Sequence, residues 1–470
     1  MPEIDTGHQG HRLRQWLFPV GVVLALVAGP ATGRPEDTPA SAGGDVLTLA
    51  QAIATAMEHN REIGAAEARS AAAEAQLDEA RSLRLPRVDI TGVAQSTDHP
   101  VYVFSNLLGQ ESFGAESFAV DELNDPDPLT NWKTQVDVTQ PLWTGGRLRH
   151  GIAAAEAGRD AERASQEATR QHVVHQVIER YTAAVLARRE LEVAREALAT
   201  AGAHVQLVGD LHRGGLVVES DLLQAQVRAS EIEEMVIRAE SGVEVSAAAL
   251  NLAMGRPLDE AMRLPATLDV DPSLEVGETL GEDDLDALLD QAAAKRPDLR
   301  SARGHGDAAE AVARQARAER LPEVGLQAHW EANAEDFIGR DGDGYSVSVA
   351  LTYRLFDGGA RRARLERARR QLDEARERQD LLAQGVALEV HQAFHELRAA
   401  TQRLDQARRG VRLAERSLAI VKDRYREGLT ILPELLDAET ARTRARLREV
   451  AARRDVRLGR ASLDLATGNL

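Results

Sequence analysis

Two pairs of histidines are the first residues whose type and spacing could do chemistry. His172 with His175, and His391 with His395, would each share one face of a helix, where two imidazoles could hold a metal ion. Neither pair stands in the H-E-x-x-H order of a helical zinc protease, and histidines on a helix surface or seam are the simpler reading. The stretch "GRDGDG" from Gly339 carries acids suited to calcium, but a hairpin turn selects the same composition. No nucleophile has a base at workable spacing, and cysteine is absent. The residues therefore predict no catalytic residue, no cofactor-binding residue, no metal site and no enzyme.

The chain must use its 470 residues for something other than chemistry. With 43 % apolar residues it has ample material for a large core or for several elongated elements. A formal charge of -18 argues against a nucleic-acid partner, whose phosphates need a basic footprint. Near the N-terminus, Arg12 and Arg14 precede the apolar run "WLFPVGVVLALVAG" and small residues around Ala31 and Gly33. This pattern predicts a cleavable secretory signal over residues 1–33 and a linker over 34–46. A membrane anchor is the alternative, although the run is shorter than the ~20 residues a spanning helix needs. Without cysteine there is no disulfide framework and no thiol for lipid attachment.

Self-comparison gives the organisation. Everything from Pro141 to Gly255 has a counterpart 213 positions later: Gly145 and Gly146 meet Gly358 and Gly359, Tyr181 meets Phe394, and "LNLAMG" at 250 meets "LDLATG" at 463. Upstream the shift is 236, pairing "RLPRV" at 84 with "RLPEV" at 320. The chain is a tandem duplication with repeats over 47–255 and 282–470, joined by a linker over 256–281. Its first copy carries 23 extra residues between Pro86 and Pro141.

Each copy contains one segment with a period of two. In "YSVSVALTYRLF", Tyr345, Val347, Val349, Leu351, Tyr353 and Leu355 alternate with smaller or polar residues, which predicts a strand with one apolar face. With "EVGLQAHW" it makes a hairpin over 323–356 around the polar loop "EANAEDFIGRDGDG". In the first copy "RVDITGVAQS" and "KTQVDVTQPLW" make a hairpin over 87–143 around a loop of roughly 35 residues. Outside the signal the chain has 14 aromatic residues, and 11 of them fall in these two hairpins. That placement predicts membrane-embedded strands, with a soluble hairpin covered by helices as the alternative.

The remainder reads as helix. Arg147 to His212 is proline-free for 66 residues, roughly 100 Å of helix. Leu191, Ala194, Leu198, Ala201, Val205 and Val208 mark a heptad seam, and Leu404, Ala407, Val411, Ala414, Leu418 and Val421 repeat it. Shorter segments, Arg61 to Arg84 with "ESDLLQAQ" to Met254, and Pro297 to Arg320 with Leu432 to Thr467, sum to about the long helix's length. Two short helices stacked end to end beside one long one are expected. The glycine pairs Gly145–Gly146 and Gly358–Gly359 then turn strand into helix, with Thr144 or Asp357 capping the first turn. Four strands cannot close a barrel, so several chains must contribute.

In order and spacing, "LTLAQAIATAMEHNREI", "RLPRV", "QPLWTGGR", "RPDLRSAR", "RLFDGGAR", "YREGLTILPELLDAE" and "LDLATG" make the mature chain resemble the TolC family of outer-membrane efflux and secretion channels. The resemblance implies a mostly α chain with a small membrane β-barrel: a homotrimer, four strands per chain, and a twelve-stranded barrel in outer-membrane lipid on a long α-helical periplasmic barrel. It implies a passive conduit for small molecules such as drugs or metals, or for proteins. Its partners would be a periplasmic adaptor and an inner-membrane transporter of the RND or ABC type.

Residue by residue, Gly215 with Leu216 and Gly428 with Leu429 match the helix-to-helix turns where adaptors dock, although ordinary helical hairpin turns also explain the glycines. Glu434 and Asp437 match acids that ring the closed periplasmic entrance, with a glutamate here as the first. Tyr425 and Asp221 match positions that hold neighbouring helices together in the closed state; a solvated helix end is the alternative for these charges. A periplasmic coiled-coil structural or adaptor protein with soluble hairpins is the second reading of the whole chain.

Overall fold

The computed structural model describes residues 46–265, 283–337 and 339–470. The expected signal over 1–33, the linker up to residue 45 and residues 266–281 of the expected second linker lie outside them.

Helices α1 (Leu49–His59) and α2 (Arg61–Ser82) break at Asn60. Thr48 caps α1 by accepting the Gln51 N–H at 3.2 Å, and the Asn60 side chain caps α2 by accepting the Glu62 N–H at 2.8 Å. Next come β1 (Arg87–Thr97), the short helices α3 (Pro100–Gly109) and α4 (Val120–Asn124), and β2 (Leu129–Trp143). The long α5 (Arg147–Arg213) and α6 (Glu219–Met254) complete the first copy. The second runs α7 (Asp283–Lys295), α8 (Pro297–Ala318), β3 (Glu323–Ala334), β4 (Gly342–Thr352), α9 (Ala360–Arg426) and α10 (Leu432–Ala466). The first residues of α8, β3, β4, α9 and α10 are those that the shifts of 236 and 213 assign from α2, β1, β2, α5 and α6.

The long helices α5 and α9 have 67 residues each, ~100 Å at the α-helical rise. Helices α2 and α6 both pack on α5, while α8 and α10 pack on both α5 and α9. The expected end-to-end stacking is thus present. Where the short helices meet, each copy has its own core. Val173, Val177, Tyr181, Leu250 and Ala253 in the first match Val386, Val390, Phe394, Leu463 and Ala466 in the second, all buried. Tyr181 differs from Phe394 in having a hydroxyl, which donates to Leu47 O at 2.9 Å.

Four expectations need correction. The 98–128 loop is not loop alone, because α3 and α4 fold within it. The second hairpin's loop is shorter than expected, since β3 continues through Glu331 to Ala334. Strand β4 ends at Thr352 and not at Phe356: its partner β3 begins at Glu323, and Pro322 before it has no N–H to extend the ladder. Helices α2 and α8 also stop two residues before Arg84 and Arg320.

Candidate functional site

The four strands form one antiparallel sheet in the order β1-β2-β3-β4, so the two copies join through β2 and β3. Register sorts the side chains by face. Val88, Val138, Ala328 and Val347 are neighbours across it, as are Ile90, Val136, Trp330 and Tyr345. On the other face Asp89, Asp137, His329 and Ser346 align. The first face is apolar and bare in the single chain: Ile90 is 75 % exposed and Tyr345 83 %. The second is polar and internally bonded. Asp137 Oδ1 lies 2.8 Å from His329 Nδ1, Glu331 Oε2 lies 3.1 Å from His329 Nε2, and Lys133 pairs with Glu331. Exposed aromatics stand at both ends of the sheet, Tyr345 and Phe337 far from the long helices, and Trp143, Tyr353 and Phe356 near them. No helix among the described residues is long and apolar enough to cross a membrane.

The corners between sheet and long helices are built on Gly145, Gly146, Gly358 and Gly359, all with φ between +62° and +91°, a region that costs an L side chain ~1–2 kcal/mol. At Gly145 a Cβ would also stand 2.5 Å from Leu321 Cβ. The caps reach over the glycines. Thr144 Oγ1 accepts the Leu148 N–H at 3.3 Å, and Asp357 accepts the N–H groups of Gly359 and Arg361 at 3.2 and 3.0 Å. Burial pushes the Asp357 carboxyl up, but the N–H and guanidinium of Arg361 outweigh it and hold its pKa low.

At the opposite end of the long helices are two turns of equal design. Gly215 (φ 72°) and Gly428 (φ 71°) close them, and the N–H groups of Leu216 and Leu429 return to Leu211 O and Arg424 O at 2.9 and 2.8 Å. Leu216 is left 75 % exposed and Leu429 62 %. Tyr425 sits half-buried on a cluster of Val208, Ala225 and Leu432. Burial raises the pKa of its phenol, and the charge of the Asp221 carboxylate adds to the rise. Glu434 and Asp437 are both exposed, and Glu434 accepts a hydrogen bond from Thr430.

Sequence reasoning missed the pair His204 and Glu439, which joins α5 to α10 with 2.7 Å between Nε2 and Oε1. The signal was available: His204 lies on the buried stripe of Ala194, Ala197, Ala201 and Val208, where an unpartnered ring would be costly. His391 and His395 stack at 6.4 Å, and His175 Nε2 lies 3.1 Å from Ser462 Oγ. Among the described residues no three His, Cys, Asp or Glu side chains gather as metal ligands.

Comparison with known proteins places this geometry. A profile of the outer membrane efflux protein family matches residues 52–256 and 288–469. Protein CyaE of Bordetella pertussis is 37 % identical over 174 residues, covering 36 % of this chain and 37 % of that one. Alkaline protease secretion protein AprF of Pseudomonas aeruginosa is 25 % identical over 326 residues, 66 % of this chain and 64 % of its own length. The chain thus spans less than two thirds of these two relatives. The outer membrane protein VceC of Vibrio cholerae shares the fold, with a TM-score of 0.74 at 20 % identity over 89 % of this chain and 96 % of VceC.

Proposed function

Because the chain belongs to the outer membrane efflux protein family, we propose that it is the outer-membrane channel of a tripartite export system, a passive conduit that works with a periplasmic adaptor and an inner-membrane pump of the RND or ABC type. The observation that carries this reading is the sheet, bare and apolar on one face and polar on the other, with aromatics at both ends: the alternation of a barrel wall between lipid and water. Residues 1–33 then serve as the export signal and the repeats over 47–255 and 282–470 as the halves of the wall. The name of AprF favours a secreted protein as cargo, with small molecules as the second class. No relative supports a periplasmic coiled-coil structural or adaptor role. Fractionation tests the reading: the chain is expected in the outer membrane and to form ion-conducting units in planar bilayers, and recovery in the soluble periplasmic fraction would remove it.

Four strands leave β1 and β4 as open edges, and three chains supply twelve strands, which supports a homotrimer. The outer helices support the same contact. Helix α9 carries 17 Arg and Lys against 10 Asp and Glu, whereas α2 and α6 together carry 12 acids against 5 bases. Exposed Leu381, Leu388, Leu413 and Ile420 run along α9, and exposed Leu223, Val227, Ile237 and Val245 along α6. A basic edge of one copy against the acidic edge of the next gives three equivalent interfaces. Trimers in mild detergent are therefore expected to dissociate more readily at ~1 M salt, where the screening length falls to ~3 Å, than at ~0.1 M. Mass measurement across that range checks it, and a monomer at every salt concentration would contradict the assembly.

The tips carry the proposed docking and gating functions. Exposed Leu216 and Leu429, beside Gly215 and Gly428, suit insertion between adaptor hairpins. Three copies of Glu434 and Asp437 would ring the entrance, with Tyr425 and Asp221 holding the tips closed. Glu434→Ala with Asp437→Ala is expected to raise the half-blocking concentration of a multivalent cation by about tenfold. Tyr425→Phe with Asp221→Ala should raise conductance in planar bilayers. Unchanged block and conductance would place the gate elsewhere.

A further inference from the structure

The 23 residues that only the first copy carries build a helix that returns onto the sheet. Helix α3 packs across the polar face at the end far from the long helices. Gly109 lies against the side chain of Asn333, which stands with Asn131 and Glu331 on that face. A chain of amides fixes the contact. Gln110 Nε2 donates to Thr130 O and to Asn131 Oδ1, both at 3.0 Å. Asn131 Nδ2 donates to Asn333 Oδ1 at 2.9 Å and to Asn106 Oδ1 at 3.3 Å. Gln110, Asn131 and Asn333 are all buried and bonded to one another, while Asn106 Nδ2 is buried without a partner, and a buried amide cluster of this kind favours one pose.

On the side of α3 turned away from this cluster, Val101 and Leu108 lie two turns apart, 66 % and 51 % exposed. An anchored helix that presents aliphatic residues outward needs a neighbour for them. In a barrel whose polar face lines the lumen, α3 stands on the lumenal side, where the same helix from the other two copies is the neighbour its outward face would meet.

We propose that three copies of α3 narrow the outer mouth of the lumen to an apolar ring of Val101 and Leu108, a constriction that resists hydrated ions by dewetting. It is a second barrier, at the end of the channel opposite the tips, and it sets which solutes leave an open channel. This inference rests on the barrel reading, which makes the polar face the lumenal one.

The absence of cysteine makes the test clean. In planar bilayers, in the Tyr425→Phe, Asp221→Ala background, Leu108→Asp is expected to raise single-channel conductance about twofold or more. Leu108→Cys should change conductance when a sulfonated methanethiosulfonate reagent is added on the outer side, and Val347→Cys on the apolar sheet face should not respond. Conducting channels that ignore both the aspartate and the modified cysteine would overturn the constriction while leaving the barrel intact. If Leu108→Asp does not assemble, the cysteine arm decides alone. Absence of conduction in every background would overturn the barrel and the constriction together.

Discussion

Replacing Arg296 by methionine is expected to cost about 3 kcal/mol of stability, one of the largest losses available to a single side chain here. Arg296 is buried at the break between α7 and α8, where α10 ends against it. Its guanidinium bonds Asp298 at 3.0 Å from Nε, Glu389 on α9, and the carbonyl of Ala466 at 3.3 Å. Burial would pull the guanidinium's pKa down, but the two carboxylates outweigh it and raise it. Methionine fills the space and leaves Asp298, Glu389 and the Ala466 carbonyl without their shared donor.

The first copy solves the same problem without charge, which sharpens the prediction. Asn60 stands where Arg296 does, and its Nδ2 donates to Ala253 O at 2.8 Å, the counterpart of Ala466 O. At the place of Glu389 the first copy has Gln176. Arg296→Asn with Glu389→Gln restores the first copy's amides and should therefore recover part of what Arg296→Met loses, while Arg296→Asn alone should recover less; Asp298 lacks its donor in both, and Glu389 is 56 % exposed, so the difference is modest. Urea unfolding of the detergent-solubilised protein, followed by helical circular dichroism, gives the three values and their coupling. A double variant no better than Arg296→Asn alone would show that the ion pair is not a unit.

The pH dependence has a defined sign. Burial pushes the Asp298 carboxyl up, but the hydrogen bonds and charge of Arg296 and the Leu299 N–H bring it below the ordinary aspartate value of 3.8. A carboxyl depressed in the folded state stabilises at pH above its unfolded value and loses that contribution as pH falls through the lower folded value. The wild-type chain should thus lose stability below about pH 4 through this site. Arg296→Met should lack that step.

How much of this was legible beforehand follows from what a repeat can transmit. The shifts of 213 and 236 carry the starts of α2, α5 and α6 over to α8, α9 and α10, because capping and heptad signals survive duplication. Helix α3 had no counterpart to borrow from, and its segment read only as the long loop of the first hairpin. The shift of 236 pairs Asn60 with Arg296, but they share position and not chemistry, so their common role at the helix break is not legible from residue type. The end of β4 was overrun because alternation continues through Leu355 after its partner strand has run out at Pro322. At the tips, Tyr425 and Asp221 came only from the family resemblance, whereas the contact between His204 and Glu439 needed a buried polar residue to be read as a demand for a partner.

The same junctions give the second large effect. Gly255→Ala should cost at least 3 kcal/mol and Gly468→Ala only about 1–2 kcal/mol, although the two glycines are equivalent by repeat and share φ of 74°. Both end their helices with a left-handed residue, Gly255 returning its N–H to Leu252 O and Gly468 to Leu465 O, each at 3.0 Å. That backbone strain falls equally on an alanine at either site. The surroundings differ. A Cβ at Gly255 would stand 2.6 Å from the carbonyl carbon of His59, nearer still to its oxygen, and 3.0 Å from Asn60 N; at Gly468 the nearest atoms, on Lys295 and Arg296, are 3.1 Å away. The Gly255 clash is with backbone at the break between α1 and α2, which cannot rotate aside, so relief requires α6 to shift away from α1 and the break. Because α2 and α6 together flank α5, that slip would travel toward the tips, and Gly255→Ala should also disturb closure of the entrance. Parallel urea titrations and bilayer recordings of both variants check the order. Equal losses at the two glycines would mean that the stacked ends relax freely and that the wall is not rigid where its helices meet.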